Sequence, residues 1–344
     1  MRLAGLFLPL VAAVRPVIIS TDPGIDDSIA LLLALSSPEV DVRAVCINFG
    51  SLHNTSQLAQ NALDVLALAG REDVPVFLGA TNPLSQPFHD LGGPKFHGAD
   101  GLGGVKLAAS TAHVNASFTA TEFIVHACRT WQPPPLLVSL APLTNVALAL
   151  NLEPKLPALC PDLFLMGGTL LAPGNVGPLS EANIANDPEA AARVLSAGFD
   201  TKVAGLDVTM STWLSPSFLA SLREMPNVVG PFVWNITRFY ERAYEEVGGF
   251  EGGMPLHDPT TLLMYLKPEL YELHRWPVQV DTSSFPSASR GLLLADRRGG
   301  PRSPPPPRSD QVHFAMRVEA GAARSFLRTR LGALRAGPGQ ASAA

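Results

Sequence analysis

The sequence predicts an α/β protein built on a mostly parallel, doubly wound, Rossmann-like sheet with extra C-terminal helices. Three observations carry that expectation. Short apolar runs rich in Val, Ile and Leu alternate with runs that carry apolar residues at helical spacing, the pattern of a sheet covered on both faces. Acidic and amide residues gather at the seams between those runs, beyond the carboxyl ends of the predicted strands, where such sheets bind ligands. After about residue 205 the alternation gives way to mainly helical runs.

In chain order, 14–20 (VRPVIIS) reads as a buried strand and 25–35 as a helix with Ile25, Ile29, Leu32 and Leu33 inward. A strand over 40–49, a helix over 56–70 ended by Gly70, and a strand over 74–80 follow. The pattern continues as helix 120–131, strand 135–142, helix 143–152, strand 162–168, helix 187–198 and strand 201–208. Helices are predicted over 215–225, 227–247 and 258–273, then two late strands at 276–296 and 311–319. Between those strands lies GGPRSPPPPRS (299–309), which cannot enter a sheet interior and reads as a solvated loop insertion. The tail 337–344 is expected to be disordered.

With 344 residues, 47% of them hydrophobic, the chain can bury one large core, expected over 16–336. The net charge of −5 comes without a basic stripe interleaved with aromatics, so no nucleic-acid partner is expected. Cys46, Cys128 and Cys160 are scattered and read as buried free thiols rather than a disulfide framework. Residues 1–15 combine a basic start with about a dozen apolar residues, too few to span a bilayer. They fit either a secretory signal or an N-terminal extension, which leaves both a cytoplasmic and a secreted protein open.

The stretch STDPGIDDSIALLLAL (20–35) places Asp22, Asp26 and Asp27 between a buried strand and an apolar helix. A helix N-terminus stabilises a carboxylate by only ~0.3–1 kcal/mol at exposed sites. Capping and turn chemistry would explain one or two acids. Three converging on a greasy seam would repel and raise one another's pKa, a conflict that a hard divalent cation with oxygen ligands resolves. The spacing is not that of an EF-hand, which needs an internal Gly and a closing Glu. Other seams add Thr144 and Asn145, then Asn175, Glu181, Asn183 and Asp187, then His257 and Asp258, with His97 on a Gly-rich loop. Polar groups recurring at several crossovers make a good recipe for a sugar pocket.

These motifs, in this order, resemble the nucleoside hydrolases of the inosine–uridine type, near the plant uridine nucleosidase branch. The resemblance rests on TDPGIDDSIALLLAL, APLTNVALAL, MGGTLLAPGNVGPLSEANIANDPEAA and PLHDPTTL, and covers about 16–296 with the last strand and helix. It implies hydrolysis of a ribonucleoside to ribose and free base through an oxocarbenium-like state. It also implies Ca²⁺ held by Asp22, Asp27, Asp258 and the Thr144 carbonyl, with Asp22 activating the water. Asp26, Ser51, Met166, Asn175, Glu181 and Asn183 would meet the ribose, and His97 would contact substrate. Tyr240 and Tyr244, one helical turn apart, read either as residues that stack on the base or as a core aromatic stripe. His257 would face the leaving base, as acid or as packing. The resemblance further implies a homodimer or tetramer. The chain departs from the family at Ser20, where an Asp is usual. Two other readings stay open from sequence alone: a Ca²⁺-dependent nucleoside or ribose binder with weak catalysis, and a metal-dependent phosphatase. The second should show a Lys and a basic phosphate pocket, where this chain has Asn, Glu and His.

Overall fold

The structure is a computed structural model that describes residues 14–297 and 311–335. The expectations for the N-terminal segment to residue 13, for the 299–309 insertion and for the 337–344 tail lie outside the described residues. Its first half runs β1 (Arg15–Thr21), α1 (Ile25–Leu35), β2 (Val40–Ile47), α2 (Thr55–Leu68), β3 (Val76–Leu78), α3 (Gly93–His97), α4 (Ala120–Thr130), β4 (Leu136–Ser139), α5 (Thr144–Leu152), α6 (Leu156–Leu159) and β5 (Asp162–Met166). The second half runs α7 (Ala182–Asn186), α8 (Pro188–Leu195), β6 (Asp200–Ala204), α9 (Leu206–Thr209), β7 (Trp213–Leu214), α10 (Pro216–Arg223), α11 (Val229–Glu246), β8 (Met254–Pro255), α12 (Asp258–Leu266), β9 (Tyr271–Val280), β10 (Leu293–Ala295), β11 (Gln311–Val318) and α13 (Ala320–Ala333).

Nine strands form one sheet in the order β10-β9-β11-β6-β5-β4-β1-β2-β3. The strands from β11 to β3 are parallel, while β9 and β10 extend one edge in antiparallel pairs. Alternate side chains feed two cores. Val17 and Ile19 of β1 join the helices α1, α2, α11, α12 and α13 on one face, while Ile18 joins α4, α5 and α8 on the other. The chain reverses its direction of travel between β1 and β4, so their crossovers lie on opposite faces and leave a crevice past the strand ends.

Four expectations need correction. The run 276–296 is not one strand: β9 ends at Val280 and β10 is short, because the stretch between is turn-forming, with Asp281 accepting from the Ser283 N–H at 2.7 Å. The helix expected to reach 273 stops at Leu266, ahead of Pro268. In 201–208 the strand ends at Ala204, and Gly205 caps the turn of helix α9. Cys128 and Cys160 are joined as a disulfide, leaving Cys46 as the buried free thiol. Their helices α4 and α6 pack together, a neighbourhood that the 32-residue separation does not betray.

Candidate active site

A cavity of about 560 Å³ opens beyond the carboxyl ends of β1, β2, β4 and β5, at the switch in strand order. Asp22, Asp26, Asp27, Ser51, His97, Met166, Asn175, Glu181, Asn183, Tyr240, Tyr244, His257 and Asp258 all line it. Thr144, Asn145 and Asp187, also read from sequence at the seams, are not among its lining residues.

One end is acidic. Asp22 follows β1, Asp26 and Asp27 sit in the first turn of α1, and Asp258 is the first residue of α12. Carboxylate oxygens of Asp26, Asp27 and Asp258 lie within 4.8 Å of one another, and all four side chains are buried. Burial, then repulsion from Asp27, holds the Asp22 carboxyl well above its ordinary range. Asp258 is pushed well up by burial and by Asp26, Asp27 and Asp22, and Asp26 rises to about 6, chiefly through burial. Asp27 also does structural work. It accepts from the Thr21 hydroxyl, the Asp22 N–H at 3.2 Å and the Gly24 N–H at 3.0 Å, closing the turn. Asp22 is oriented by Ser51, whose N–H donates to Oδ2 and whose hydroxyl donates to the Asp22 carbonyl at 2.5 Å. That approach needs Gly50, since a Cβ there would lie 2.1 Å from Asp22 Oδ2. Behind the cluster, Ser20 is buried and accepts from Asn145 Nδ2 at 3.2 Å, so an amide and a hydroxyl meet where the family carries an acid.

The next wall is made of amides and carbonyls. Glu181 accepts from the N–H groups of Asn183, Ile184 and Gly168 at 2.7–3.1 Å, so it caps α7 while facing the cavity. Asn183 Nδ2 donates to the carbonyls of Leu140 at 2.9 Å and Met166 at 3.3 Å, stapling the ends of β4 and β5. Asn175 Oδ1 accepts from the Ala182 N–H at 3.0 Å. The Thr144 hydroxyl donates to Asp187 at 2.7 Å. Leu140 lines the cavity, and its N–H donates to the Ser20 carbonyl at 2.8 Å.

The opposite end is aromatic. His97 closes α3, a short helix where the sequence predicts a loop, and its Nδ1 accepts from the Ile25 N–H at 3.2 Å, which leaves Nε2 carrying the proton. Burial lowers its pKa to about 4. Tyr240 donates to Asp26 at 3.3 Å. The Tyr244 hydroxyl lies 2.6 Å from His257 Nε2, and the Thr209 hydroxyl lies 2.8 Å from His257 Nδ1. Burial, with His97 nearby, lowers the His257 pKa to about 3, so the imidazole is uncharged. The two tyrosines, read from sequence as base-stacking or core residues, thus have their hydroxyls committed to Asp26 and His257. Sequence reasoning missed Leu140, Thr209, Phe96 and Phe250. Only Phe96 had a signal, its place beside His97 in KFHG.

The model of the family described as inosine-uridine preferring nucleoside hydrolase matches residues 17–324. The chain belongs to that family. A pyrimidine-specific ribonucleoside hydrolase, RihA, of Klebsiella pneumoniae is 37% identical over 283 residues, 82% of this chain and 88% of the relative. A probable uridine nucleosidase of Oryza sativa is 35% identical, covering 78% of this chain and 82% of its own length. The solved structure of a purine-preferring ribonucleoside hydrolase from Gardnerella vaginalis superposes with a TM-score of 0.85 at 29% identity, over 93% of this chain and 99% of that one. This nucleoside hydrolase is therefore an enzyme that cleaves the N-glycosidic bond of ribonucleosides, and the switch-point cavity is where its candidate chemistry lies. No helix among its described residues is long and apolar enough to cross a membrane.

Proposed function

We propose that the enzyme hydrolyses nucleosides of the uridine and inosine type with Ca²⁺ held by Asp22, Asp27 and Asp258, and with Asp22 as general base. The observation that carries this reading is the set of four buried carboxyls at one end of the cavity, each with its pKa raised, first of all by burial. An all-oxygen acidic set of this kind fits a hard divalent cation. When bound, such a cation offsets the charge, orients a vicinal diol and makes a water easier to deprotonate. The backbone candidate is the carbonyl of Thr144, the first residue of α5.

The chain's own groups divide the remaining work. Asp22, fixed by Ser51, takes the proton of the attacking water. Asp26, Asn175, Glu181 and Asn183 hydrogen-bond the ribose hydroxyls. His257 faces the departing base. Because its ring is uncharged, it works with the Tyr244 hydroxyl as a proton path rather than as a stored positive charge. His97 closes over the ribose from α3. A dimer or tetramer rests on family resemblance alone, and light scattering tests it.

The deciding experiment measures reducing-sugar release from uridine and inosine, with and without a chelator. Wild type is expected to release ribose, to stop on chelation and to recover with Ca²⁺, while Asp22→Asn protein stays inactive. Equal slow release by wild type and Asp22→Asn would sink the catalytic assignment, and indifference to chelation would sink the cation.

A further inference from the structure

We propose that Phe250 is a base-contacting, specificity-determining residue: its ring forms the outer wall against which the nucleobase lies. This rests on the reading of the cavity as the nucleoside site. The acidic end accounts for a diol and the amide wall for further sugar contacts, which leaves the aromatic end beside His257 for the base. There Tyr240 and Tyr244 are buried, with hydroxyls already engaged. Phe250 differs. It lines the same cavity, yet the residue is left 39% exposed rather than enclosed as the tyrosines are.

Its support is built from both sides. At the end of α11 the N–H groups of Gly248 and Phe250 both donate to the Tyr244 carbonyl, at 3.1 and 3.2 Å. On the other side Trp213 Nε1 donates to the Gly252 carbonyl at 3.1 Å, and Glu241 accepts from the Gly253 N–H at 2.9 Å. Gly249, Gly252 and Gly253 have φ of 68°, 64° and 82°, which turn the chain tightly enough to bring one aromatic to the tip. The ring rests on Trp213 and Tyr244, with centroids 5.2 and 5.8 Å away, and lies so close over Gly248 that a Cβ there would come within 2.7 Å of it. A hydrophobic contact that merely capped α11 would need the Tyr244 side of the ring alone. It would not need a tip anchored at both ends whose aromatic surface is left partly open.

A two-ring base covers more of that face than a one-ring base. Aromatic pairing of about 0.5–1.5 kcal/mol corresponds to roughly two- to twelvefold in affinity. The test is steady-state hydrolysis by wild type, Phe250→Ala and Phe250→Leu, with D-ribose as product inhibitor and thermal midpoints to confirm folding. The KM for inosine is expected to rise about tenfold in Phe250→Ala and that for uridine about threefold, with the ribose inhibition constant unchanged. Phe250→Leu keeps apolar bulk against Trp213 without the π-face, and inosine should weaken in it nearly as much. Unchanged KM values, full retention by Phe250→Leu, or parallel loss of ribose binding would each overturn the inference while leaving the functional reading in place. A wild type that releases no ribose from either nucleoside would overturn both.

Discussion

Where β1 ends, the cavity wall is carboxylate gripped by backbone; where α11 ends, it is aromatic, and its outermost ring hangs on a glycine turn. The acidic groups come from turns anchored to sheet strands and from two helix N-termini, and each is fully buried. The aromatic groups come from one long helix and the loop after it, and the outermost, Phe250, is partly in solvent. The difference teaches a division of labour. On the proposed reading, the sheet fixes the groups that meet an invariant ribose and water, and the surface segment holds those that meet a variable base.

The largest effect that would break this comparison lies at the acidic end. Asp22→Asn is expected to lower kcat by about 10³-fold on every nucleoside tested, since a positioned general base contributes roughly 10²–10⁴. A loss confined to one base would place Asp22 at the wrong end. His257→Ala should lower kcat by about 10²-fold on natural nucleosides and far less on a riboside whose leaving group departs without a proton. Equal loss on both substrates would remove His257 from leaving-group chemistry. Thr209→Val takes away the partner of His257 Nδ1 and should repeat that pattern at about tenfold.

The acidic end also predicts a pH dependence. Asp26, whose carboxylate lies beside those of Asp27 and Asp258, has its pKa raised to about 6, so the proposed cation loses a neighbouring negative charge once pH falls through about 6. Calcium affinity measured by titration should therefore weaken from pH 7.5 to pH 5. Tyr240→Phe removes a hydrogen bond that lowers the Asp26 pKa, and should move that weakening to higher pH. An affinity independent of pH over that range would contradict the assignment. The smallest effect belongs to Thr144→Val, which leaves the buried Asp187 carboxylate short of one donor. It should cost about 1–2 kcal/mol in denaturant unfolding, with kcat unchanged.

Much of the acidic end was legible in the sequence because its parts are local. A strand, a Pro-Gly turn and a helix start fix the relation of Asp22, Asp26 and Asp27 within six residues. The boundaries of α1 follow directly from that pattern. Asp258 and Glu181 could be read because a motif placed each at a strand-to-helix seam. What stayed hidden depends on tertiary approach. Leu140 lines the cavity at the end of β4, within an apolar run that gives it no functional signal. Thr209 directly follows the run 201–208 that reads as strand, and it is helical because Gly205 starts a turn there. Phe250 sits in GGFEGG, which spells a turn but says nothing of which way the ring faces.

Asp27 serves the turn as much as the cavity, since the same carboxylate closes the loop from β1 to α1. An ion that binds this cluster in the folded chain and not in the unfolded one stabilises the fold by RT ln(1 + [L]/Kd), about 2.7 kcal/mol at a hundredfold excess over Kd. If the cluster takes the proposed cation, its uptake and folding are one equilibrium. The rate at which a protease cuts the β1–α1 junction becomes a gauge of the ions around the protein, readable before any nucleoside is added.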